Sequence, residues 1–309
     1  MEPHSLRRTA SFSFACAASD NRGHALAAGL SLHGTPLWGC ARVGVRCVAV
    51  LAAAVALAAA GSAHAGRSCE STQPVSAQTI ERGMKLAEQT AAALDAEHAR
   101  SGMQVALLGR AGQDLSKYQL RYSHFGWAYK TPQGPWRVAH KLNDCGTAVG
   151  YVYRQGLGEF FLDDLWRYEA VLAVPTAQVQ QRLLAVLQDK GLTTTLQHRP
   201  YSMVSYAWGN KYQQSNQWAL ETLALAMEPA TVRTRVQAQA WLQFKGYEPT
   251  TLKIGPLSRM GGRIGSANIA FDDHPGDKRF SDRIETVTVD SALAFLQRAQ
   301  LASAPTVVK

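Results

Sequence analysis

Three residues of this 309-residue chain have types and positions that could do chemistry together: His124, His140 and Ser215. His124 sits in YSHFGWAYK and His140 in WRVAHKL, two segments joined by the short turn Thr131-Pro132-Gln133-Gly134-Pro135. Strands connected this way pair antiparallel, so both imidazoles can face one side of a sheet. One histidine acting as base, oriented by a second polar group on the next strand, is what a nucleophilic hydrolase needs. Two edge histidines with ordinary hydrogen bonds give the same spacing. Ser215 precedes NQWALE, where a strongly apolar helix begins. A hydroxyl there meets the positive end of the helix dipole, and the N–H groups of Asn216 and Gln217 are candidates for an oxyanion hole. Serine is also a favoured helix N-cap, and that simpler role explains it equally.

A second cluster is the turn Asp272-Asp273-His274-Pro275-Gly276-Asp277. Its oxygen ligands suit a divalent cation. A solvated hairpin tip is the more ordinary reading, and His274 folding over the cleft near His124 is another. The chain contains no HExxH, Walker A or GxGxxG, and residues 66–309 contain no GxSxG. The glycines of SRMGGRIGSAN (258–268) fit turns better than a phosphate loop, so no cofactor is expected.

These residues need an export route and a scaffold. Val48–Ala60 is an apolar stretch preceded by Arg42 and Arg46 and followed by Ala63-His64-Ala65. It is too short to span a membrane and has the layout of a secretory signal peptide, with cleavage after Ala65. Residues 1–65 are therefore set aside as presequence, with a translation start near Val43 as the simplest reason for the long leader. Residues 66–309 are expected to form one α+β domain, periplasmic or secreted, with no transmembrane anchor after cleavage. The remaining basic excess is mild and scattered over residues such as Lys117, Lys141 and Arg154, which argues against a nucleic-acid partner. Two cysteines remain, Cys69 and Cys145. An even pair in an exported chain predicts a Cys69–Cys145 disulfide worth about 2–4 kcal/mol. The rival role for Cys145 is a free nucleophile.

Periodicity gives the elements. Helices are predicted at 76–99 (capped by Ser76), from Thr176 to a stop at Gly191, at 216–227, at Val232–Lys245 and at Ser291–Ala299. Strands are predicted at Met103–Arg110, Tyr122–Lys130, Trp136–Leu142, Tyr168–Pro175, and in TLKIG, SANIAF and ETVTV. The stretch TAVGYVYRQGLGEFFLDD has no clear period. The helix at 216–227 is apolar all round and should be buried. The order predicts an antiparallel sheet packed against helices. Trp127, Tyr129, Trp136, Tyr206, Trp208 and Trp218 are candidates to line a binding cleft.

The segments YSHFGWAYK, HKLNDCGTAVGYVYRQGLGEFFLDD, SNQWALE and FDDHPGDKRF resemble the bacterial family called domain of unknown function 2145, over about Cys69 to Leu296. That family implies no activity. More loosely, the order of elements looks like the circularly permuted papain-like (NlpC-type) hydrolases and acyltransferases. There a strand bearing His-x-Gly comes first, a polar residue sits on the next strand, and a nucleophilic cysteine opens a later helix. By that resemblance SHFG supplies His124 as base, His140 orients it, and Ser215 stands where the cysteine would be. The implied substrates are amide or ester bonds of the cell envelope, with peptidoglycan or another envelope component as partner. Serine is a weaker nucleophile than a thiolate, so a non-catalytic envelope binding or scaffold protein of the same fold is the alternative.

Overall fold

The structure, a computed structural model, describes residues 75–163 and 165–309, all within one unit, Gly61–Lys309. The signal-peptide reading of residues 1–65 and Cys69 lie outside the described residues. In chain order the elements are α1 (Ala77–Ser101), β1 (Val105–Ala111), β2 (His124–Lys130), β3 (Trp136–Asn143), β4 (Gly150–Gly156) and α2 (Leu157–Phe161). There follow β5 (Arg167–Ala173), α3 (Ala177–Gln188), α4 (Lys190–Thr194), α5 (Ser215–Met227) and α6 (Arg235–Phe244). The chain ends with β6 (Thr250–Lys253), α7 (Pro256–Gly265), α8 (Gly276–Phe280), β7 (Arg283–Thr286), α9 (Val289–Arg298) and β8 (Thr306–Val308). The fold is α+β: a six-stranded sheet in the order β4-β3-β2-β1-β5-β8, and a separate β6-β7 pair. Every neighbouring pair is antiparallel.

Side-chain alternation along β2 and β3 divides the core. Phe125, Trp127, Tyr129 and Ala139 join a large apolar cluster with α3, α5, α6 and α9. Ala128, Trp136 and Val138 point the other way, into a second cluster with Leu86, Ala87 and Leu94 of α1 and Phe160 and Phe161 of α2. The sheet is therefore covered on both faces, which is why β1 (VALLGRA) is buried along its whole length. α5 is buried at all thirteen positions, as its all-round apolarity predicts.

Helix ends follow local chemistry. Ser76 caps α1 by accepting from Thr79 N, and Gly102 closes that helix at φ 73°. Thr176 caps α3 in the same way. Gly191 does not end that helix; α3 stops at Gln188, Asp189 caps α4, and Gly191 lies inside α4.

Several predicted elements differ. The stretch without a clear period holds β4 and α2, and β4 is an edge strand whose half-exposed residues carry no alternation. The SRMGGRIG segment, read as turns, is part of helix α7. SANIAF is not a strand, β7 begins at Arg283, two residues before the predicted ETVTV strand, and the polar stretch Asp272–Asp282 that precedes it contains α8. β8 was not foreseen because three residues give no periodic signal. Among the described residues no helix is long and apolar enough to cross a membrane.

Candidate functional site

The two histidines meet. His124 Nε2 lies 2.8 Å from His140 Nδ1, and His140 Nε2 lies 2.7 Å from Gln155 Oε1 on β4. Gln155 Nε2 in turn donates to Glu159 Oε1 of α2 at 2.9 Å. A carboxylate only accepts, so Glu159 fixes the direction of the whole chain. The Gln155 amide nitrogen faces Glu159, its carbonyl accepts from His140 Nε2–H, and His140 Nδ1 accepts from His124 Nε2–H. Both rings are then neutral and hold their proton on Nε2.

The rings belong to the α1–α2 side of the sheet. Phe160 contacts both, with ring centroids 5.9 Å from His124 and 5.2 Å from His140. Gly126 of β2 makes this approach feasible: a Cβ there would lie 2.7 Å from Ala139 O and 2.8 Å from His140 Cβ. Arg110 of β1 is buried beside them. It donates to Phe160 O, pairs with Asp163 Oδ2 at 2.6 Å, and stacks on Phe160 with its guanidinium carbon 4.8 Å from the ring centroid. Burial, then the Arg110 charge, holds His140 down at about 3 and pushes His124 well below its ordinary value. Neither ring carries charge near pH 7.

Ser215 is elsewhere. Its Oγ is 3.2 Å from Tyr201 Oη, and it makes no hydrogen bond to either histidine. α5 packs on the face of Phe125 and Trp127, opposite the one that holds the histidine rings. Nor is Ser215 the cap. It is the first helical residue, and Gln214 caps α5 by accepting from Asn216 N at 3.1 Å. That bond uses one of the two N–H groups expected for an oxyanion hole. Burial raises the Tyr201 phenol above its usual range, so it is no base for Ser215.

The start of α5 is instead a buried polar hub. Asn216 accepts from Phe125 N at 3.0 Å and donates to Ser123 O at 3.3 Å, clamping the chain on both sides of His124. Gln214 donates to Thr286 Oγ1 and Val287 O, and Gln217 donates to Ala207 O. Lys141, next to His140 but facing α5, is fully buried and gives its three protons to His198 O, Gln213 O and Gln213 Oε1 at 2.5–2.9 Å. Burial lowers its ammonium to about 7. Gln213 passes the network to Glu221, which Arg235 and Gln239 also contact at 2.9 Å each. Spacing did not reveal Lys141, Arg110, Gln155, Tyr201 or this network. The signal was the run Gln213–Gln217, five polar residues leading into an apolar helix. Such a run is either solvated or fully partnered, and here it is partnered.

The other candidates resolve as structure. The side chains of Asp273 and His274 are buried, not solvated. Asp273 Oδ2 accepts from Tyr206 N at 2.7 Å, and His274 contacts Asp273 Oδ1 at 3.0 Å and Glu285 O at 3.2 Å. They latch the 206 loop to β7, and the His274 ring packs on Tyr206 rather than over His124. Asp272 pairs with Lys211. No aromatic cleft forms from the six residues named above: Trp127, Tyr129, Trp136 and Trp218 are core residues, leaving only Tyr206 and Trp208 partly exposed. Cys145 lies exposed in the turn after β3, and its predicted partner Cys69 is outside the described residues.

The site thus defines an α+β domain with a polar network on each face of its sheet, one buried at the head of α5 and one running from the buried histidines to the exposed Glu159. Residues 97–296 match the model of the family described as "Uncharacterized protein conserved in bacteria (DUF2145)", and the chain belongs to that family. Neither the curated proteins nor the solved structures compared with it give a match.

Proposed function

We propose that the chain is an exported cell-envelope protein that works by binding an envelope component, not by hydrolysing one. The observation that carries this reading is the partner of Ser215: the hydroxyl is hydrogen-bonded to a buried tyrosine, while the histidines are neutral and bonded to each other across the sheet. A nucleophilic serine needs a base within hydrogen-bond reach. Export is supported by the Val48–Ala60 apolar stretch, its basic flank and the Ala63-His64-Ala65 site.

The rival is an amide or ester hydrolase on a circularly permuted papain-like fold, with His124 activating Ser215. It requires Ser215 to leave Tyr201 and the start of α5 to reach the opposite face of the sheet. A fluorophosphonate probe on the purified protein separates the two. Binding predicts no adduct on Ser215, and Ser215→Ala then leaves the envelope phenotype unchanged. A covalent adduct on Ser215, lost in Ser215→Ala, restores the hydrolase.

A further inference from the structure

α7 is an amphipathic helix turned inside out. Its inward side is polar or small: Arg259 donates to Ile254 O and to Asp282 Oδ1, and a Cβ at Gly262 would lie 3.3 Å from Ile269. Its outward side carries Leu257, Met260 and Ile264, which are 79%, 49% and 81% exposed. Spacings of three and four place them on one stripe. An isolated exposed leucine is ordinary, but a helix that presents its whole apolar face to water is waiting for a cover.

The segment tied to α7 carries a further exposed aromatic side chain. Arg259 ties α7 to Asp282, just beyond α8, where Phe280 is 76% exposed with Arg279 stacked 4.7 Å from its ring centroid. Among the described residues between 253 and 285, Lys253, Arg263, Arg279 and Arg283 form no ion pair with a carboxylate, against two acids with no lysine or arginine partner, Asp273 and Asp277. The other acids there are paired: Asp272 with Lys211, Asp282 with Arg259 and Glu285 with Lys278. The unpaired charge of this segment is therefore positive on balance.

We propose that α7, with Phe280, is a membrane-interface element that lies on anionic phospholipid. Leu257, Met260, Ile264 and Phe280 enter the headgroup–acyl boundary, while the unpaired lysine and arginines meet lipid phosphates. Charge complementarity selects a lipid surface over a second copy of the chain, whose identical basic rim would repel it. The proposal deepens the envelope-binding reading by naming its partner, and rests on it only for where such a surface is met.

The test is co-sedimentation of the protein, as the cell processes it, with phosphatidylglycerol–phosphatidylcholine vesicles and with phosphatidylcholine alone. The comparison is with Leu257→Gln/Ile264→Gln, which keeps the same N-terminal region, so any contribution of residues 48–60 is shared. Both positions are outside the core, and an unchanged melting temperature verifies folding. Binding is expected to anionic vesicles, to weaken with salt, and to fall at least about tenfold in the variant. Arg263→Glu/Arg279→Glu should weaken it as well. No binding to anionic vesicles, equal binding by the variants, or a dimer that dissociates in Leu257→Gln/Ile264→Gln overturns the proposal. Labelling of Ser215 by the phosphonate probe would overturn the non-catalytic reading without touching the vesicle result.

Discussion

Tyr201 holds Ser215: the two hydroxyl oxygens are 3.2 Å apart, and both side chains are buried. Tyr201 also lies under Lys141, whose ammonium is 5.7 Å from the centre of its ring. The serine at the head of α5 is thus one member of a packed polar layer, and its hydroxyl is committed to a neighbour that cannot take its proton.

Acid should unfold the protein through its histidines. Both native rings are held below the ordinary value of 6.5, His140 at about 3. Above pH 6.5 native and unfolded forms are alike in charge, and the stability is fully present. As pH falls from 6.5 toward 3 the unfolded chain takes up protons that the native rings refuse. Stability is then lost progressively through both rings as pH falls across this window. Urea denaturation across this window measures it, and His140→Gln should reduce the slope. A flat profile would mean the rings are solvated.

Two glycines should answer alanine in opposite ways. Gly126→Ala puts a methyl against Ala139 O and His140 Cβ, at 2.7 and 2.8 Å, where backbone must move. It should cost about 1–3 kcal/mol and disturb the histidine contact. Gly261, inside α7, meets nothing within 4 Å, so Gly261→Ala should be neutral or stabilise by up to about 1 kcal/mol. Melting temperatures of the two variants check both signs.

The pair Glu221–Arg235, with side chains 0% and 9% exposed, sits at the end of the Lys141 network. Glu221→Gln leaves Arg235 and Lys141 with less buried counter-charge and should cost about 3–5 kcal/mol. Glu221→Leu with Arg235→Met removes both charges and should recover part of that loss. If the double variant is as unstable as the sum of its single variants, the two charges are not coupled.

An exported chain should also join Cys69 to Cys145. Non-reducing peptide mapping of the processed protein should give the linked pair, and reduction should lower the melting temperature. Alkylation of Cys145 without reductant would refute the bridge and reopen Cys145 as a nucleophile.

The pairing of His124 with His140 was legible because a short turn between antiparallel strands fixes which positions share a face. Ser215 was not, because spacing does not say which face of the sheet a distant helix will cover. α5 was legible as buried from its composition, but its polar head was not legible as a hub, since the partners of Gln213–Gln217 come from loops and strands far along the chain. β4 escaped because an edge strand that is half exposed has no alternation to read. α7 escaped because four of its ten residues from Pro256 are the glycine pair Gly261-Gly262, Gly265 and a leading proline, composition that reads as turn.

The most direct test of the separation between Ser215 and the histidines is nitrogen-15 NMR of the imidazole rings in the native protein, followed from pH 8 to pH 5 with and without Ser215→Ala. The expected result is two neutral rings protonated on Nε2, no titration over this range, and ring shifts that stay the same when the serine hydroxyl is removed. A ring that titrates near pH 7 and shifts in Ser215→Ala would contradict it, and would put Ser215 and a histidine back into one catalytic pair.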